Sequence, residues 1–417
     1  MEKQSIFEYG VEMPVYVSQH RPALDSTKKS RMFEAFAGVG MQRMALKRLN
    51  IPFASVDISE IDKYALLSYN AIHGETLNYG DIAKMDEIPP CDICTWSFPC
   101  TDISAAGKQK GMVEGARSNY GYDFLEVVKR STYKPRVLIM ENVPALLSDK
   151  FRKDFGKIYM LTERMGYKNF VKVLNAKDYG VAQNRERVFM VSILRTAENP
   201  EPEYEFEPPI TLTKRLKDYL EPQVDEKYYL SEKMVENITM GSINNSGEES
   251  KTIRTSGRSS VDRHSWDLVE EPILNQVAQL GTKGIHESAG RIYGTDGLCP
   301  TINTCGGGNL EPKIAEPSII NPLKGKTKYG WHFEQNVYND AGITRAVKSS
   351  EGSGNIPKVV NGLRIRKLCP IETWRLMGIS DDDFHKAESV VSNSQLFRQA
   401  GNGIVVDVFM SVLRPLF

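Results

Sequence analysis

Met32-Phe33-Glu34-Ala35-Phe36-Ala37-Gly38-Val39-Gly40 decides the fold class. A short apolar strand, Met32 to Ala37, runs into glycines and then into a helical stretch that continues through Leu49. Glycines at such a junction let the backbone approach a ligand closely at a helix N-terminus. The same alternation recurs outward from it. Phe53 to Val56 reads as a second strand, and Ile61 to His73 carries helical periodicity. Cys91 to Trp96 and Val137-Leu138-Ile139-Met140 are continuous apolar runs, the pattern of strands covered on both faces. Val171 to Leu174 and Val188 to Leu194 read as a closing, hairpin-like pair. Strands alternating with helices over 31–195 predict an α/β domain with a mostly parallel sheet.

The texture changes after Arg195. Glu198 to Pro209 is rich in Pro and Glu, as linkers are. From about 240 to 362 the chain is rich in Gly, Ser, Thr and Asn, with short β-type runs and no long helical pattern. Helical texture returns at Pro370 to Met377 and near Gln395 to Leu413. These shifts predict an N-terminal extension over 1–30, an α/β domain over 31–205 completed by a helix at 395–417, and a smaller, irregular β-rich domain over 206–394. The last contains an internal repeat. Laid on 337–359 at a constant offset of 45, residues 292–314 match Tyr293 with Tyr338, Gly297 with Gly342, Gly307 with Gly352, Pro312 with Pro357 and Lys313 with Lys358. Turn-rich sequence also produces chance matches, so duplication and coincidence both stay open here.

Composition bounds the function. A chain of 417 residues suggests two domains, and 41% hydrophobic with 25% charged residues is globular usage. No apolar run approaches the roughly 20 residues of a membrane span, and the first 30 residues lack a signal-peptide pattern. With 53 basic and 53 acidic residues, bulk charge argues neither for nor against a nucleic-acid partner. Lys324, Lys326, Lys328, Arg345, Lys348, Lys358, Arg364, Arg366 and Lys367 give a local basic bias, which alone reads as a solvated face. Six scattered cysteines fit a reducing cytosol. Cys91 and Cys94 form a CxxC, but no second ligand pair follows at zinc spacing, so both are expected in the core and no metal is expected.

The glycine loop lacks the third glycine of GxGxxG, so alone it is a weak dinucleotide signal. Asp57, placed at the end of the second strand, is near the offset at which an acid binds ribose hydroxyls. Asp81, in Gly80-Asp81-Ile82, is placed where a third strand should end and suits an adenine amino group. Acids at successive strand ends favour an adenosine-type cofactor. Phe98-Pro99-Cys100-Thr101 then puts a cysteine at the carboxyl end of a fourth strand, where open α/β sheets bind ligands. Ser104 to Gly115 can move as a lid. Glu141-Asn142-Val143 closes the fifth strand, and alternation puts Gln183, Arg185 and Arg187 on one face.

In that order the motifs resemble those of the bacterial and phage C5-cytosine DNA methyltransferases. They are Phe36-Ala37-Gly38-Val39-Gly40, Asp57, Gly80-Asp81-Ile82, Phe98-Pro99-Cys100, Glu141-Asn142-Val143 and Gln183-x-Arg185-x-Arg187. Arg366-x-Leu368-x-Pro370-x-Glu372-x-x-Arg375-Leu376-x-Gly378 and Gly401-Asn402 follow later. The likeness is strong over 31–195 and 364–417 and loose between. Ser97 and Thr101 replace the usual residues flanking Phe-Pro-Cys, Asp57 a commoner Glu, Ile58 a commoner Trp, and Gly403 a frequent Ser.

The resemblance implies a Rossmann-like S-adenosylmethionine-dependent methyltransferase domain and a target-recognition domain. Cys100 would add to C6 of a flipped-out cytosine, and Glu141 would act at N3. Arg187 would contact O2, Arg185 support the loop or share in activating the thiol, and Asn142 position Pro99-Cys100. Phe36, Ala37, Gly38, Gly40, Asp57, Ile58, Asp81, Ile82, Pro99, Leu125, Asn402 and Ile404 would hold S-adenosyl-L-methionine, leaving S-adenosyl-L-homocysteine as product. Expected partners are duplex DNA and a cognate restriction endonuclease that is not a stable subunit. A cytoplasmic monomer in a bacterial or phage-infected cell is expected. A tRNA cytosine-C5 methyltransferase and a non-catalytic DNA-binding regulator are the alternatives; the Gly/Thr-rich insert argues against the first and intact Cys100, Glu141, Arg185 and Arg187 against the second.

Overall fold

The computed structural model describes residues 22–100, 103, 112, 117–229 and 368–417, and between the last two blocks the strands named below. Two compact units emerge: Met1–Lys214 with Cys299–Gly307 and Pro370–Phe417, and Arg215–Leu298 with Gly308–Cys369.

The first unit is built on β1 (Ser30–Ala35), β2 (Phe53–Ser59), β3 (Ile93–Trp96), β4 (Val137–Asn142), β5 (Tyr167–Asn175), the two-residue β6 (Gln183–Asn184) and β7 (Glu186–Leu194). All but β6 join one sheet in the order β2-β1-β3-β4-β7-β5. Pairing is parallel from β2 to β4, and β7 alone runs against its neighbours. The expected closing pair is β5 with β7, in register from Tyr167↔Leu194 to Asn175↔Glu186. Every residue of β3 and β4 is buried, which is why their sequences show no alternation.

Helices α1 (Met41–Arg48), α2 (Lys63–His73), α3 (Tyr120–Arg130) and α4 (Arg152–Arg164) connect these strands. Phe124 and Val128 of α3 and Ile158 of α4 share a core with Phe33, Cys94, Trp96, Leu138 and Met140. Full burial of one such Phe stabilises by roughly 1.5–3 kcal/mol. Cys91 and Cys94 are buried free thiols in that core, and the described residues hold no cluster of three metal-binding side chains.

The third strand expected to end at Asp81 does not form. Leu77 and Tyr79 bond to the backbone of Ile58, but the Asn78 side chain then takes the N–H groups of Glu60 and Gly80. Gly80 turns the chain at φ +71°. Capture of backbone donors by a side chain replaces the ladder. Asp81 instead caps a 3-10 turn over Ile82–Lys84, accepting from Ala83 N at 3.1 Å.

Beyond Lys214, β8 (Ile238–Thr239), β9 (Gln276–Leu280), β10 (Arg291–Gly294), β12 (Lys313–Glu316) and β15 (Arg364–Lys367) form a sheet ordered β15-β12-β10-β9-β8. A separate pair is formed by β13 (Val337–Asn339) and β14 (Lys358–Val360), while β11 (Cys299–Pro300), itself part of the first unit, pairs with β6 there.

The boundary expected at 206–394 moves. The first unit includes α5 (Pro370–Arg375) and α6 (Asp381–Glu388), because Trp374, Leu376 and Met377 are fully buried in it. Trp374 Nε1 donates to Leu396 O at 2.9 Å. The expected extension over 1–30 also shrinks: Leu24 is buried and its N–H bonds Leu416 O at 2.8 Å, while residues 1–21 lie outside the described residues. α7 (Asn393–Asn402) and α8 (Val406–Leu413) fall in Asn393–Leu416, which by length and apolarity alone would suit a membrane. Its apolar window is 78% buried within the fold, so it is core.

Candidate active site

Three of the expected catalytic side chains meet at one sheet edge. β3 and β4 end there, and β7, running the other way, begins there. Cys100 lies in the loop after β3, Glu141 near the end of β4 and Arg187 at the start of β7. Arg187 Nε stands 3.0 Å from Glu141 Oε1, with the side chains 16% and 9% exposed.

The loop carrying Cys100 is pinned at three successive carbonyls. Asn142 Nδ2 donates to Phe98 O at 3.0 Å, Ser118 Oγ to Pro99 O at 3.1 Å, and Ile103 N to Cys100 O at 2.9 Å. Behind it Trp96 stacks between Phe98 and Phe124, with ring centroids 5.6 and 4.7 Å away. A side chain carried on a loop held this way loses little freedom when a ligand arrives.

Gln183, Arg185 and Arg187 do share an inward face while Glu186 is exposed, but they go to different places. Gln183 Nε2 donates to Leu376 O at 2.6 Å. Arg185 is buried, and its Nη2 donates to Gly401 O at 3.0 Å and Gly403 O at 2.7 Å. Arg187 is ion-paired with Glu141.

Burial raises the Glu141 carboxyl above its ordinary value, against the pull of Arg187, Arg185 and Ser97. Burial, then the negative charge of Glu141, push the Cys100 thiol up as well; Arg187 and Arg185 pull it down without prevailing. The activating effect expected of the arginines is therefore present and outweighed. Burial and the neighbouring Arg187 bring Arg185 down to about 9, which leaves it cationic at neutral pH. A proton on Glu141 removes one of the two obstacles to ionising Cys100. Alkylation of Cys100 by iodoacetamide, followed by peptide mass spectrometry, is expected to accelerate with pH through an inflection above the ordinary thiol value of about 8.5. Glu141→Gln should move that inflection down; an unmoved inflection would show that the two groups do not sense each other.

The glycine loop is tightly wound, with Phe36, Gly38 and Gly40 at φ +60°, +58° and +78°. A Cβ on Gly40 would strike His73 and Tyr69, whereas one on Gly38 would meet nothing within 4 Å. Packing accounts for Gly40; over Gly38 there is open space. Gly38 N donates to Glu60 Oε2 at 2.8 Å. Glu60 follows β2 directly, burial raises its carboxyl, and its neighbour Ile61 is 68% exposed.

This corrects the reading of Asp57 and Ile58. β2 runs to Ser59 rather than Val56, so Asp57 lies inside the ladder opposite Phe33. Ile58 is fully buried and offers no face to a ligand. The overlooked signal was Asp62, which caps α2 by accepting from Tyr64 N and Ala65 N at 2.9 and 3.4 Å. A helix that starts after Asp62 leaves Glu60 and Ile61 in the turn at the ligand edge.

Of the other expected cofactor residues, Phe36 is half-buried, Pro99 lies in the pinned loop and Asn402 is exposed. Ala37, Ile82 and Leu125 have side chains in the core, which leaves their backbone to a ligand. Ile404 lines a small cavity with Arg185 and Arg187. Ile103 and Met112 are buried, and the remainder of the expected lid over 104–115 lies outside the described residues. Lys324, Lys326, Lys328, Arg345 and Lys348 of the basic bias lie outside them too.

A model of the C-5 cytosine-specific DNA methylase family matches residues 30–417. The orphan methyltransferase M.SPBetaI of Bacillus phage SPbeta is 32% identical, over 93% of this chain and 97% of its own. The type II methyltransferase M2.ScrFI of Lactococcus lactis subsp. cremoris is 30% identical, over 93% of this chain and 99% of its own. Among solved structures, the Dnmt2 methyltransferase of S. pombe matches with a TM-score of 0.59 at 18% identity, covering 93% of this chain and 98% of that one. A putative DNA modification methyltransferase of an E. coli prophage matches with 0.54 at 16% identity, covering 93% and 98%. These two share the fold.

Proposed function

This chain belongs to the C-5 cytosine-specific DNA methylase family, and from that premise we propose that it methylates C5 of a flipped-out cytosine in duplex DNA through a covalent bond from Cys100 to C6. The convergence of Cys100, Glu141 and Arg187 at one sheet edge carries the reading.

C5 of cytosine is a poor nucleophile. Addition of the Cys100 thiolate to C6, with Glu141 giving its proton to N3, makes an enamine whose electron density lies at C5. A carboxyl raised by burial suits that transfer, and before it occurs the neutral Glu141 eases ionisation of Cys100. Arg187 holds Glu141 and contacts O2 of the base, and Asn142 keeps the Phe98–Cys100 backbone in place. Once C5 carries the methyl group, loss of its proton to solvent, expulsion of Cys100 as thiolate and return of the N3 proton to Glu141 restore the aromatic ring.

S-adenosylmethionine supplies an electrophilic methyl group when bound. The open space over Gly38 and the exposed face of Ile61 fit a nucleoside there. The Phe36–Gly40 loop takes the amino-acid end, Glu60 the ribose hydroxyls and Ile61 the adenine face, with Asp81 toward the adenine amino group.

Bisulfite sequencing of DNA from cells expressing the protein should show methylated cytosines within a defined sequence. Methyl label entering tRNA alone, or no nucleic acid at all, would overturn the reading.

A further inference from the structure

The glycine loop between β1 and α1 is held from behind by α2. Tyr69 and His73 stand one turn apart on that helix, so their rings share a face, with centroids 4.6 Å apart. Tyr69 is fully buried, and its hydroxyl donates to Glu34 Oε2 at 2.6 Å. Arg43 N donates to Glu34 Oε1 at 3.1 Å, so the β1 residue just ahead of the loop is clasped on both oxygens. His73 reaches into the loop itself, with Nε2 3.0 Å from Val39 O. Its other ring nitrogen, Nδ1, is 3.1 Å from Lys47 Nζ of α1. A carbonyl can only accept a hydrogen bond, and an ammonium can only donate one. Nε2 therefore carries the ring proton and donates to Val39 O, while Nδ1 accepts from Lys47.

That bond lands on a peptide whose direction matters. The Val39–Gly40 plane is fixed at both ends, by His73 on its carbonyl and by Gly40 N donating to Ala37 O at 3.0 Å. It closes a loop in which Phe36, Gly38 and Gly40 all lie at positive φ. Phe36 bears a side chain, so its conformation is strained and persists only where the surroundings impose it. Glycine at 40 is what admits His73 so closely, since a Cβ there would meet the imidazole. Over Gly38 nothing lies within 4 Å, so packing does not account for the shape of that part of the loop. Burial, then the charges of Lys47 and Arg43, bring His73 down to about 3. The imidazole is thus neutral around pH 7, and its one N–H stays committed to Val39. Turning the peptide over would exchange the directions of its N–H and C=O, the groups with which a loop at a helix N-terminus meets a charged ligand.

We propose that His73 is a positioning residue for S-adenosylmethionine: it holds the Val39–Gly40 peptide so that the loop meets the amino-acid end already in shape, and Lys47 fixes the imidazole tautomer that this requires. This rests on the cofactor site proposed above. A loop ordered in advance loses little further freedom on binding, so the effect falls on affinity. His73→Phe keeps a ring beside Tyr69 and removes the donor. Calorimetry on the full chain should show S-adenosylmethionine bound about tenfold more weakly or worse, while kcat at saturating cofactor stays within about threefold of wild type. His73→Gln keeps an N–H donor and should bind within about threefold of wild type. Lys47→Met, an exchange at an exposed position, should weaken binding about threefold or more. Should His73→Phe not fold, Lys47→Met decides alone. Wild-type affinity in a folded His73→Phe or in Lys47→Met overturns the inference. So does a kcat that falls in step with affinity, the mark of a general structural defect, or a glutamine variant as weak as phenylalanine. A wild type that binds no S-adenosylmethionine would instead overturn the cofactor site itself, and the inference with it.

Discussion

Cys100→Ser should lower methyl transfer by on the order of 10³-fold or more, while S-adenosylmethionine and duplex DNA still bind. The expectation follows from how the loop is held. Its anchors are the carbonyls of Phe98, Pro99 and Cys100, none of which uses the sulfur, so the backbone stays where it is after the exchange. Only the nucleophile changes. A hydroxyl is far less acidic than a thiol, and the burial and Glu141 charge that already push the thiol up act against an alkoxide as well. Tritiated methyl transfer and a DNA-binding assay on the same preparation check it. Turnover within tenfold of wild type would remove Cys100 from the role of nucleophile.

The second large effect is expected at a residue that touches no base. Arg185→Ala leaves the carbonyls of Gly401 and Gly403 without this donor in a buried site, and opens a cavity beside Arg187. Unsatisfied buried acceptors cost roughly 1–3 kcal/mol each, so a loss of about 2–4 kcal/mol in stability is expected, with a fall in Tm of several degrees. Arg185→Lys should recover part of it, since an ammonium keeps the charge and can donate, but on a shorter side chain than the one whose Nη2 reaches both carbonyls. Thermal unfolding of both variants, paired with methyl transfer at a temperature where they are folded, checks it. An alanine variant as stable as wild type would show that the bridge carries no load.

The catalytic half of the site was legible because a parallel sheet turns chain order into spatial order. Cys100 and Glu141 follow adjacent strands, and the reversal of β7 brings Arg187 to the same edge. The partners of Arg185 were not legible: its acceptors are backbone carbonyls more than two hundred positions away, and carbonyls leave no mark in a sequence. Asp57 was misread because an acid was counted from the glycine loop instead of from the helix cap at Asp62, and β2 proved three residues longer than its apolar run. The strand expected to end at Asp81 was misread because nothing in Asn78 declares that its side chain will take the place of a ladder partner. The boundary at 394 failed for a related reason, since α5 is too short to show an amphipathic period and reveals its allegiance only through Trp374.

The reach of the Arg185 bridge bears on how the enzyme is made. Its two acceptors lie 216 and 218 residues downstream. On the ribosome, Cys100, Glu141 and both arginines therefore emerge long before the segment that fastens one of them. Until Gly401 and Gly403 are synthesised the nascent chain carries a guanidinium with those two seats missing, beside a sheet edge already able to form. Contacts of such separation close late and slowly. Translation thus times the assembly of the centre, and a chain cut short between Arg187 and Gly401 carries Cys100, Glu141 and both arginines without the two carbonyls that seat Arg185.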